Sequence, residues 1–156
     1  MVSVEMTTQT KLIASDSFSA QVRRGELTST DCPCREVLKD VTSPWGVLLL
    51  IVLMGGVRRF SELRRMVGGV SEKMLSQTLK RLEAHGLVHR KSYETVPPHV
   101  EYSLTPLGRT VGERVEALAD CIDTILPDVL DARRSSPSAK HAYPDLASTD
   151  DPVTRL

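Results

Sequence analysis

Aromatic residues are scarce: the 156-residue chain holds one Trp, three Tyr and two Phe. Its core must therefore be closed by aliphatic side chains, which suits helices packed through Leu, Val and Met. Long apolar runs are missing too. The longest, VLLLIVLM from Val47 to Met54, is far short of the about 20 residues a membrane-crossing helix needs, so it reads as a buried core helix. The first twenty residues mix polar and apolar side chains without the apolar stretch of a secretory signal, and a cytoplasmic protein is expected. Three cysteines, Cys32, Cys34 and Cys121, are too few for a disulfide scaffold and should be thiols at rest in a reducing compartment. No nucleophile–base pair, phosphate loop or cofactor fingerprint is legible. The expectation is a non-enzyme without a cofactor or metal.

Net charge is also absent, with 20 Lys and Arg against 20 Asp and Glu. The zero conceals a polarity. From Arg58 to Lys91 there are nine Lys or Arg and three Glu, whereas from Thr110 to the end nine acidic residues face five basic ones. A basic segment on a neutral chain points to a local anionic partner.

The length suits one domain with tails. Residues 1–30 lack a sustained period and read as a flexible arm with one short helix near Val22. Residues 31–130 carry the periodic segments, and 131–156, with three prolines, read as a disordered tail. In CPCREVLKDV, Pro33 suits a first helical turn and Val37, Leu38 and Val41 form an apolar side. In TSPWGVLLLIVLMGG, Ser43 caps a helix, Pro44 opens it and Gly55-Gly56 ends it. RRFSELRRMVGG reads as a third short helix capped by Ser61, with Leu63, Met66 and Val67 turned inward and Arg58, Arg59, Arg64 and Arg65 outward.

SEKMLSQTLKRLEAHGLVHR begins with Ser71 as cap and stops at His85-Gly86. Leu75, Leu79 and Leu82 share one side with Thr78 nearby, while Lys73, Ser76, Gln77 and Lys80 lie largely opposite. LVHRKSYE and HVEYSLT are strand-like, and TVPP between them makes a hairpin tip. Thr105 then caps a long helix opened by Pro106, in which Gly108 and Gly112 weaken the helix or permit close approach, and Pro127 kinks or ends it near Leu126.

Short helices, a glycine turn, a helix with one polar face and a β-hairpin make a winged helix-turn-helix: mainly α with a small hairpin (α+β) and a long C-terminal helix. An α-helix fits the major groove of DNA, where Lys and Gln reach base edges. Ser71, Lys73, Ser76, Gln77 and Lys80 are the candidate major-groove residues. Arg58, Arg59, Arg64, Arg65 and Arg90 are candidates for backbone phosphates. A solvated polar face is the plainer reading of the same helix, and helix-solubilising charge the plainer reading of the arginines. A protein-interaction module without sequence-specific DNA binding is the rival function. It has no need to align a basic segment with a groove-sized helix.

The combination of CPCREVL, Trp45, RRFSELRR, SEKMLSQTL and VPPHVEYSLTPLG closely resembles the HxlR-type family of bacterial winged-helix transcriptional regulators, with a MarR-like fold, over roughly Asp31 to Leu130. The resemblance implies a homodimeric repressor on a palindromic operator. It implies that the helix from Ser71 enters the major groove and that the hairpin tip, Pro97, Pro98 and His99, touches the minor groove. It also implies that the terminal helices form the dimer interface, here through Leu118, Cys121, Ile122 and Ile125. In some members the cysteine of the Cys-Pro pair, here Cys32, senses oxidants or electrophiles. A small buried residue at a helix start is the other reading of Cys32. A small-molecule effector, of unspecified identity, is a further partner such regulators take. The chain departs from the family in having Thr42-Ser43-Pro44 for Gly-Gly-Lys and His99 for an arginine at the wing. The latter makes the wing contact weaker or pH-dependent.

Overall fold

Ser43 and Pro44 start the central helix as their chemistry dictates. The Ser43 hydroxyl accepts a hydrogen bond from the Gly46 N–H at 3.0 Å, and Pro44 occupies a position whose missing N–H costs nothing. The computed structural model describes residues 17–25 and 32–135. The rest of the expected arm and the expected tail beyond Ser135 lie outside the described residues.

Along the described chain come α1 (Phe18–Arg24), α2 (Pro33–Val41), α3 (Pro44–Met54), β1 (Arg58–Arg59), α4 (Phe60–Val67), α5 (Glu72–Ala84), β2 (Val88–Tyr93), β3 (His99–Leu104) and α6 (Pro106–Ser135). The core is aliphatic, as the shortage of aromatics requires. Its largest fully buried side chains are Leu49, Leu50 and Leu53 of α3, Leu63 of α4, and Leu75, Leu79 and Leu82 of α5. Each fully buried Leu contributes about 1.5–3 kcal/mol relative to exposure. No single described helix is long and apolar enough to cross a membrane.

The segment after Gly56 differs from its expected form. Arg58 and Arg59 do not belong to a helix: they form β1, which pairs antiparallel with β3 through Arg58–Tyr102 and Arg59–Glu101. The hairpin is thus the larger part of a three-stranded sheet in the order β1-β3-β2. Strand β3 has two edges, and β2 covers only one, so a two-residue strand can satisfy backbone groups on the other. Ser61 is not the cap either. Helix α4 is capped at Arg59, whose N–H donates to Glu62 Oε2 at 2.7 Å. Met66 is 48% exposed rather than inward. The inner face of α4 runs through Phe60, Leu63 and Val67, a spacing that leaves Met66 off to one side. On α2, Val41 is buried and Val37 half-buried, but Leu38 stays exposed.

Thr105 accepts from the Gly108 N–H at 3.0 Å and so starts α6. Gly108 is there for close approach: a Cβ on it would lie 1.8 Å from the Leu87 carbonyl oxygen. Pro127 does not end the helix, which continues to Ser135, five residues past the expected domain limit. The proline removes one N–H, leaving the Asp123 carbonyl without its helical partner. Because this part of α6 is exposed, water can satisfy that carbonyl. The chain divides into two compact units, one ending at Glu113 and one beginning at Arg114.

Candidate nucleic-acid interface

The turn between α4 and α5 uses Gly68 and Gly69 at φ 61° and 66°, and Val70 is buried behind it. Ser71 then caps α5, its hydroxyl accepting from the Met74 N–H at 3.2 Å. Glu72 in the first turn favours the helix dipole. At the other end Gly86, at φ 70°, donates to the Glu83 carbonyl and turns the chain into β2. Leu75, Thr78, Leu79 and Leu82 are buried along one face of this helix. Lys73, Gln77 and Lys80 are exposed on the opposite face, with Ser76 half-buried at its margin. Thr78 meets the core without an orphaned hydroxyl, because Oγ1 donates to the Met74 carbonyl at 2.8 Å.

The wing lies next to this face. Ser76, Leu79, Lys80 and Glu83 of α5 face Arg90 and Tyr102 of the sheet across a cleft of about 280 Å³. Two cations in one cleft, Lys80 and Arg90, are suited to a backbone phosphate, although Glu83 opposes them. Beyond the cleft the strands carry a ladder of cross-strand pairs. Tyr93 stacks on His99 with ring centroids 4.7 Å apart, and Lys91 Nζ lies 4.8 Å from the Tyr93 ring centre. Tyr93–His99 and Lys91–Glu101 are direct strand partners. His99 also contacts Glu101 Oε1 at 3.4 Å and Thr95 Oγ1 at 3.2 Å. Its ring is thereby engaged within the wing, and its side chain is only 26% exposed. Pro97 and Pro98 are exposed, and Val96 is fully exposed at the tip.

The arginines separate by role. Arg58 Nη1 and Nη2 donate to the carbonyls of Val57 and Gly55, at 2.9 and 3.3 Å, closing the end of α3. Arg64 forms an ion pair with Glu72, tying α4 to the first turn of α5. Arg59 and Arg65 are exposed, and Arg65 shares a surface cleft with Phe60, Ser61, Arg64 and Glu72. The sequence places all four outward as phosphate candidates and does not reveal Glu72 as the partner of Arg64. The eight-residue separation does not fit any single-helix pairing, so only the turn brings them together.

Cys32 stands as N-cap of α2, half-buried, without a side-chain capping bond. It lines an open cleft of about 620 Å³ with Phe18, Arg35, Glu36, Leu38, Lys39 and Thr42. Cys34 and Cys121 are exposed thiols. No cluster of three metal-ligating side chains occurs among the described residues. In the unit from Arg114, α6 displays Leu118, Cys121, Ile122, Ile125, Leu126 and Leu130, all exposed.

A helix-turn-helix whose second helix presents Lys and Gln beside a three-stranded wing defines a winged helix-turn-helix, the architecture of DNA-binding transcriptional regulators. Comparison with known proteins agrees. The chain matches the HxlR-like helix-turn-helix family over residues 40–129 and belongs to that family. The HTH-type transcriptional regulator YtfH of Escherichia coli (strain K12) is 59% identical over 117 residues, covering 75% of this chain and 93% of the relative. The solved structure named for the regulator ytfH from Salmonella typhimurium is 60% identical, with a TM-score of 0.66 over 69% of this chain and 96% of that one. The reduced form of the redox regulator HypR is 37% identical, with a TM-score of 0.58 over 64% of this chain and 98% of its own. The chain is a transcriptional regulator of HxlR type with a DNA-binding helix-turn-helix fold.

Proposed function

We propose that this regulator acts in the cytoplasm as a homodimeric repressor that occupies a palindromic operator. The observation that carries the reading is the exposed face of α5: Lys73, Gln77 and Lys80 stand opposite a buried face of Leu75, Thr78, Leu79 and Leu82, beside a wing. Gln77 and Lys73 read base edges, with Ser71 and Ser76 at the near margin of the groove. Lys80, Arg90, Arg59 and Arg65 take phosphates, and Val96, Pro97 and Pro98 enter the minor groove. His99 supports that tip from behind through its stack on Tyr93. Arg58 and Arg64 keep the framework in shape.

Dimerisation uses the apolar stripe of distal α6. Leu118, Ile122 and Ile125 are 44–55% exposed, more apolar surface than an isolated helix should leave in water. A second copy supplies the cover, and two-fold symmetry then presents two α5 helices to two half-sites.

Cys32 is the thiol whose reaction with an oxidant or electrophile relieves repression. It is half-buried at the N-terminus of α2 and lines an open cleft, and HypR, a relative at 37% identity, is named a redox regulator. Cys32→Ser should bind DNA like the wild type and lose its response to oxidants in cells. A variant that responds normally would remove this part of the proposal.

The decisive experiment is fluorescence anisotropy with the duplex upstream of the protein's own gene, against a scrambled duplex, across a salt series. Specific binding that weakens steeply with salt is expected, with a slope of about −0.9 per phosphate contact. No binding to any DNA at low salt would overturn the reading and leave a protein-interaction module in its place.

A further inference from the structure

His85 ends α5, and Asp40 lies one residue from the end of α2. The fold brings them together: His85 Nε2 is 2.8 Å from Asp40 Oδ2, and the two side chains are only 15% and 12% exposed. The second carboxylate oxygen, Oδ1, lies 3.7 Å from Arg81 Nη1, one helical turn before His85. One carboxylate thus faces both basic groups at the C-terminal end of the helix that reads DNA. The nearby Ser43 hydroxyl donates to the Asp40 main-chain carbonyl at 2.7 Å, which fixes the backbone that carries this carboxylate.

Withdrawing a carboxylate from water is costly, and apolar side chains of similar size would often stabilise the fold as well. Stability alone does not account for Asp40. What an apolar contact cannot supply is direction. The buried face of α5 is Leu75, Leu79 and Leu82 with Thr78, packed among the other core leucines. Close packing of this seam sets which face of α5 turns inward, while contacts that depend on direction fix its last few degrees of rotation. Rotation matters to a reader of DNA. A side-chain tip about 6 Å from the helix axis moves about 1 Å for each 10° of roll, enough to break a hydrogen bond to a base edge. Two polar ties resist roll, one at each end. The Arg64–Glu72 pair at the start of α5 is 55% and 64% exposed and is weakened by water and salt. The Asp40–His85 pair is mostly shielded from both.

We propose that Asp40 and His85 are positioning residues: their contact sets the roll of α5 and so determines how sharply the protein discriminates its half-site from other DNA. The inference rests on α5 being the DNA-reading helix. Arg81, drawn toward α2, is on this account part of the clasp and not a base reader.

The test uses the full chain as wild type, His85→Ala, His85→Gln and Asp40→Ala. Each is titrated against the duplex that the wild type selects from a random pool and against a scrambled duplex, at several salt concentrations, with helix content followed by circular dichroism. His85→Ala and Asp40→Ala should lower the ratio of selected to scrambled affinity about tenfold, as one or two mispaired base contacts do. Affinity for scrambled DNA and the salt slope should stay unchanged, because the phosphate contacts remain. His85→Gln, whose amide N–H can reach the same Asp40 oxygen, should restore the ratio to within about twofold. The inference is overturned if both alanine variants keep the wild-type ratio, if both affinities fall together with helix content, or if His85→Gln is no better than His85→Ala. A wild type that selects no duplex from the pool overturns the reading of α5 and the clasp with it. A wild type that selects strongly beside alanine variants of equal discrimination sinks the clasp alone.

Discussion

Helix α5 and the distal part of α6 are both amphipathic, yet they treat their apolar faces in opposite ways. In α5 the leucines Leu75, Leu79 and Leu82 are at most 1% exposed, and apart from Met74, at 40%, and Ala84 what remains outside is polar. In α6 beyond Arg114, Leu118, Ile122, Ile125, Leu126 and Leu130 are 38–55% exposed. The first helix has met all its folding requirements within the chain, so its exposed Lys73, Gln77 and Lys80 are free for a ligand. The second leaves its stripe exposed among the described residues, which on the proposed reading a second copy covers. Surface left over after folding is informative, but its chemistry decides for whom: a polar, basic face suits an anion, an apolar stripe suits another protein.

The strongest break in this comparison attacks the closed face. Leu79→Ala should destabilise the fold by about 2–5 kcal/mol, from lost burial and the cavity left behind, as read by denaturant unfolding. Ile122→Asp attacks the open face. It should leave the helical signal intact while weakening self-association by about 2–4 kcal/mol in sedimentation equilibrium. Unchanged self-association would show that the stripe is covered by something other than a second copy. On the polar side of α5, Gln77→Ala should cost about 1–3 kcal/mol of affinity for the selected operator and almost nothing on scrambled duplex. Equal losses on both would mean that Gln77 touches only the backbone. Ser71→Ala removes one cap and should cost about 1 kcal/mol in thermal or chemical unfolding, the smallest of the four effects.

Much of this was legible in the residues, and for local reasons. The caps at Ser43, Ser71 and Thr105 act through an N–H three residues on, so spacing in the chain suffices to find them. The face of α5 follows from the 3.6-residue period, and the hairpin from β-rich segments flanking Pro97-Pro98. The misses share a different cause. β1 exists because β3 offers it an edge, and a two-residue strand has no period to read. Arg64 and Arg58 looked like free surface charge because their partners, Glu72 and the carbonyls of Gly55 and Val57, depend on how the chain turns. Nor did the order of residues show that His99, the expected groove residue, also contacts Tyr93, Thr95 and Glu101 within the wing. Pro127 weighs against helix locally but stands in one that continues.

The sequence by itself determined the helices and the hairpin, the aliphatic core, the basic segment and the family, because each rests on composition, period or a contiguous motif. Only the tertiary structure decided which charges are free and which are spent. Asp40 and His85, 45 residues apart, become one clasp through the packing of α2 against α5. A contact of that kind depends on direction and distance in space, and neither is written in the order of residues.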